Sequence, residues 1–114
     1  PLQALVLMND EQFVESARAF AERLLGGSSK TDEERLALGF RMATSRVPTP
    51  GEMEVLLESL NKQRARYAHD VEAASKLVAV GESKPSSTID PAELASWTMI
   101  ASILLNLDET ITKG

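Results

Sequence analysis

An all-α bundle of about five helices is the fold this sequence predicts, and three observations predict it. Apolar residues recur at three- and four-residue spacing along most of the chain, the period of a helix face. Several of these stretches open on a helix-start signal. The composition agrees: apolar residues make up 43% and aromatics only 4%. Leu, Ala, Val, Ile and Met must therefore fill the core, a mix that suits helix packing better than a sandwich of β-branched and aromatic residues. No segment alternates like a strand. At 114 residues the chain fits one domain spanning 1–114, large enough to bury one continuous core.

The elements follow in order. Leu2, Leu5 and Val6 stand in helical register before Asn9 and Asp10, which are good N-caps, with Glu11 in the first turn. Phe13, Val14, Ala17, Phe20, Ala21, Leu24 and Leu25 give one amphipathic helix, ended at Gly26-Gly27. Thr31 with Glu34 reads as a capping box. Leu36, Phe40 and Ala43 form the inner face of the second helix, which Arg46-Val47-Pro48 closes. Thr49-Pro50-Gly51-Glu52 starts a long third helix with Met53, Leu57, Leu60, Arg64 and Tyr67 along one side. A break is expected near His69-Asp70, with Asp70 recapping a short fourth helix. That helix carries Val71, Ala74, Leu77 and Val78, and Gly81 ends it. Residues 82–89 form a Ser-rich loop with Pro85. Asp90-Pro91 opens the last helix, whose stripe is Leu94, Trp97, Ala101, Leu104 and Leu105, before Asn106-Leu107-Asp108-Glu109 and a polar tail.

Charge and composition exclude several functions. The net charge of −5 supplies no basic stripe to displace counterions from phosphates, so nucleic acid is not an expected partner. Lys62, Arg64 and Arg66 read as a solvated helix face. Without cysteine, the segment holds no disulfide, thiolate zinc site, iron–sulfur cluster or covalent haem. No apolar run approaches the ~20 residues of a membrane span, and no signal peptide is present. The chain opens at Pro1 without Met and is apolar from its first residues, which reads as an excised fragment of a larger protein.

No residue pattern carries chemistry. His69 is the lone histidine, too few for the usual metal sites, and it reads as a surface residue at a helix junction. Asp32, Glu33 and Glu34 sit where a helix dipole accounts for them. Glu11, Glu15 and Arg18 read as an ordinary exposed face. Ser45, Ser83 and Ser86 lie in loops without a nucleophile elbow. Phosphate-loop, dinucleotide and zinc-protease motifs are absent. Met8, Met42, Met53 and Met99 read as core fillers, and Trp97 as a core or interface anchor. Catalytic, metal-binding and cofactor-binding residues are thus all expected to be none in this segment. Whether the chain is part of an enzyme stays open.

Three stretches carry a resemblance. They are Pro1-Leu2-Gln3-Ala4-Leu5 with Met8-Asn9-Asp10 and Gln12-Phe13-Val14, then Arg46-Val47-Pro48-Thr49-Pro50-Gly51-Glu52, and finally Trp97 with Leu104-Leu105-Asn106-Leu107-Asp108-Glu109. Together they resemble the C-terminal end of the domain of unknown function 1553 family. Thr110 departs from the aromatic residue of many relatives. The resemblance implies a large, exported, multidomain protein of planctomycete-type bacteria, often with a cytochrome c-like module upstream. It implies a periplasmic or cell-envelope location, and any haem would sit on that separate module. It assigns no catalytic residue.

Two functions are therefore carried forward. The first is a structural or interaction module that docks on upstream domains of the parent protein. The second is one wall of a site in an enzyme or redox protein acting on extracellular polysaccharide, with Asn9, Asp10, Asn106 and Asp108 as its polar candidates and Trp97 beside them. A helical peptide-binding groove is a third possibility. The Pro1–Asp10 segment is expected to pack near Trp97, Leu104 and Leu105, tied down by Asn9 or Asn106. Substrate, redox role and oligomeric state are not legible.

Overall fold

The computed structural model describes residues 10–26 and 30–113, with the side chains of the last helix as far as Leu107. Five helices follow one another: α1 (Glu11–Gly26), α2 (Asp32–Thr44), α3 (Pro50–His69), α4 (Val71–Val78) and α5 (Pro91–Lys113). The fold is an all-α bundle, with no strand among the described residues. The expected packing of Pro1–Asn9 lies outside them.

The helix starts form as their residue types dictate. Asp10 Oδ1 accepts from the Gln12 amide at 2.8 Å, capping α1. Thr31 and Glu34 satisfy each other's amides at the start of α2, and Thr49 and Glu52 repeat the reciprocal box at α3, with Pro50 in the first turn. Asp70 stops α3 and caps α4 through the Ala73 amide at 3.0 Å. Asp90 accepts from the Glu93 amide at 3.2 Å at the start of α5. The α2 C-terminus uses no glycine: Ser45 takes the left-handed conformation (φ 66°), and its amide bonds the Arg41 carbonyl.

Helix α5 is the axis, and the other four all pack against it. Ala95, Ser96, Thr98, Ile100 and Ser102 are buried together with Leu94, Trp97, Ala101 and Leu104. Burial on nearly every side marks a central helix, not an amphipathic outer one. Its hydroxyls tolerate this because each bonds back into the helix: Ser96 to the Ala92 carbonyl, Thr98 to Leu94 and Ser102 to Met99, at 2.7–2.8 Å. The helix also continues to Lys113, beyond the point where a polar tail was expected.

Four expected core positions are corrected. Val71 and Met42 are exposed (55% and 48%). On α3 the fully buried residues are Leu56, Leu60 and Tyr67, while Met53 and Leu57 are half-buried. The inner face of α3 is thus turned slightly from the Met53–Leu57 line. Gly39 lets α2 come close: a Cβ there would stand 2.9 Å from Leu24 Cδ1 and from Leu104 Cδ1.

Candidate functional site

The polar candidates go to structural positions or lie outside the described residues. Asn9 and the side chain of Asp108 are outside. Asp10 is exposed and caps α1. Asn106 is half-buried, and its Nδ2 donates to the Ser102 carbonyl at 3.0 Å, one turn back. Trp97 is fully buried, and its Nε1 donates to Glu93 Oε2 at 3.0 Å. It therefore shows no ring face on which a sugar could stack. His69 is exposed at the end of α3.

Two charged clusters replace surfaces expected to be plain. Arg64 is not part of a solvated face. Its side chain is 31% exposed, and the guanidinium grips Asp32 with Nη1 and Nη2 at 2.6 and 3.0 Å. It also grips Glu93 with Nε and Nη2 at 3.0 and 2.6 Å. Planar guanidinium geometry allows this double fork where a lysine could not. The hydrogen bonds from Arg64 hold the Asp32 carboxyl below its ordinary value. One side chain thereby joins the starts of α2 and α5 to the far part of α3. Since Glu93 also receives Trp97 Nε1, the cluster runs from the surface to the core.

Arg18 is the second correction: it is 2% exposed. Nη1 donates to the carbonyls of Val78, Val80 and Ser83 at 2.9, 3.3 and 3.1 Å, and Nη2 donates to Ser83 Oγ. Glu15, one turn earlier, accepts from the Ser83 amide at 2.6 Å and from Ser83 Oγ. Glu22, one turn later, accepts from the Ser86 amide at 2.7 Å. Gly81 makes the approach possible, with φ +97° and a Cβ position that would collide with the Glu15 side chain at 2.5 Å. Ser83 is not thereby an activated nucleophile. Its own hydrogen bonds lower the Glu15 pKa, which weakens Glu15 as a base.

A further feature is an apolar groove. Residues Phe40, Val55, Leu56, Ile103 and Leu107 line it, with Thr49, Gly51, Glu52 and Ser59 at its edge, and its volume is about 470 Å³. Val55 is 63% exposed and Ile103 36%. At one edge Arg46 stacks over Phe40, 4.9 Å from the ring centroid, and forks onto Glu52 with two bonds of 2.8 Å. That fork, with the Thr49 amide, pulls the Glu52 carboxyl down to about 2.

Among the described residues, no three or more His, Cys, Asp or Glu side chains are grouped to hold a metal ion. No helix among them is long and apolar enough to cross a membrane. The fold and its surface define a small helical module that carries an apolar groove. The family model for the protein of unknown function DUF1553 matches residues 1–60, just over half the chain, and the chain belongs to that family. The match includes the first two motifs quoted above, while the Trp97–Glu109 motif lies beyond it. No curated protein and no solved structure matches the chain.

Proposed function

We propose that this chain is an interaction module: the C-terminal helical part of a larger exported protein, docking on that protein's upstream portion through the groove between α3 and α5. The carrying observation is the exposure of Val55 and Ile103 beside Phe40, Leu56 and Leu107 in one groove. Scattered surface apolar residues need no explanation, but a contiguous set in a concavity marks an interaction site.

The occupant is an amphipathic helix. A segment entering an apolar groove must satisfy its own backbone, and the described residues offer no strand edge to do it for them. From Gly51 to Ser59 the α3 wall spans two turns, roughly 12 Å at ~1.5 Å per residue. A docking helix fills that length with apolar residues at i, i+3 or i+4, and i+7. Its flanks are basic, because the chain carries −5 and Glu54 and Glu58 are exposed beside Val55 on α3. Two copies docked face to face would oppose those same acids, which disfavours self-association. The module brings no cofactor of its own, and it works in the periplasm or cell envelope. Docking is favoured over a wall of a polysaccharide site because Trp97 is core and Asp10 is a cap.

The test separates the chain from the rest of the parent and expresses the two together. They should co-purify, and Val55→Glu combined with Ile103→Glu should abolish this while the helical circular dichroism stays intact. Undiminished co-purification of the double variant would place the docking surface elsewhere.

A further inference from the structure

We propose that Arg18, Glu15 and Glu22 form a latch on α1 that holds α4 and the loop after it closed, making α4 a hinged lid over α5. The inference is independent of the groove, which α2, α3 and α5 line.

Helix α4 is short and leans on α5, with smaller contacts to α3 and α1. It is eight residues long, and a helix that short is marginal in water without tertiary support. Only Ala74 and Val78 are buried, with Ala73 and Leu77 half-buried and Val71 exposed. Its main apolar contact is α5. A backbone turn lies at each of its ends. Asp70 leaves helical geometry at φ −142°, ψ 74° and serves as C-cap of α3 and N-cap of α4 at once. Gly81 follows at φ +97°, a conformation open to glycine and costly for other residues.

Beside that apolar contact stands a dense polar clasp. The Arg18 guanidinium takes the last carbonyl of α4, Val78, then those of Val80 and Ser83. Glu15 takes the Ser83 amide and Glu22 the Ser86 amide. All three side chains stand on one face of α1, three and four residues apart.

The same face supplies an open state. Arg18 Nε is buried with no hydrogen-bond partner, and Glu22 Oε2 stands 3.9 Å away while engaged with Ser86. When the loop departs, Glu22 exchanges the Ser86 amide for Arg18 Nε, and Glu15 is released towards the same cation. The charge is then paired within α1, so opening does not strand a buried guanidinium, the usual obstacle to such motion. Two alternative partner sets for one cation are what a bistable element requires.

Hydrogen exchange on the 114-residue chain tests this, comparing wild type with Arg18→Lys. A lysine presents a point charge that cannot reach three carbonyls and a hydroxyl together. Exchange across residues 71–89 should rise at least tenfold, while amides of α3 and α5 around Leu60 and Ala101 keep their protection. Gly81→Ala and Glu15→Gln loosen the clasp from the loop side and from the carboxylate, and should give smaller rises in the same segment. They keep the test open if Arg18→Lys fails to fold. A uniform rise over all helices, or none in 71–89, would overturn the latch: Arg18 would then be an ordinary part of the global fold.

Discussion

Arg18, Arg46 and Arg64 carry the same charge and meet three different surroundings. Arg18 is enclosed and spends its donors on loop carbonyls, Arg64 forks two carboxylates at a half-buried junction, and Arg46 lies over Phe40 at the groove edge. None of these roles was legible in the sequence. Position i+3 from Glu15 and neighbourhood with Lys62 and Arg66 look the same whether a side chain faces water or a loop 60 residues away. The carboxylate partners give a testable pH signature. Glu52 titrates at about 2 in the folded chain against an ordinary 4.5. Because the folded value is the lower one, its pairing with Arg46 contributes fully above pH ~4.5 and is lost as the pH falls through about 2. Asp32, Glu15 and Glu34 are lowered too and act in the same sense. The melting temperature should therefore fall on acidification through that window. Glu52→Gln should flatten part of the fall, and an unchanged profile in that variant would remove Arg46–Glu52 from the account.

At the scale of the helices, the starts were readable and the burial only in part. A capping residue acts on amides within its own turn, so Thr31, Thr49, Asp70 and Asp90 announce themselves from local chemistry alone. Which face of a helix is buried depends on what packs against it. The α5 stripe of Leu94, Trp97, Ala101 and Leu104 was visible, but its hydroxyl residues hid the fact that other helices cover its back as well. Val71 falls in the apolar register of α4 and is exposed for the same reason. Gly39 is a helix-interior glycine whose purpose appears only in three dimensions. Alanine there would gain about 1 kcal/mol of helix propensity. Its methyl would press on Leu24 and Leu104 at 2.9 Å, both buried, at a cost of about 1–3 kcal/mol. Gly39→Ala should thus lower stability by about 1 kcal/mol in urea unfolding. A stabilised variant would mean that the two leucines have room to move.

For the molecule as a whole, fold class and family were both within reach of the sequence, because helical periodicity and short motifs are local signals. The groove was not: Phe40, Val55 and Ile103 come from three helices, and only packing brings them to one opening. Val55 and Ile103 also fall outside the stripes that periodicity picked out. The proposed docking rests on that groove, and the family itself is one of unknown function. The most direct measurement is hydrogen exchange of residues 51–59 and 103–107 in the intact parent protein against this chain alone. Docking predicts slower exchange in the parent at both segments, by tenfold or more, with little change around Leu36 on α2. Equal rates at both segments would contradict the claim that this groove is where the module meets the rest of its protein.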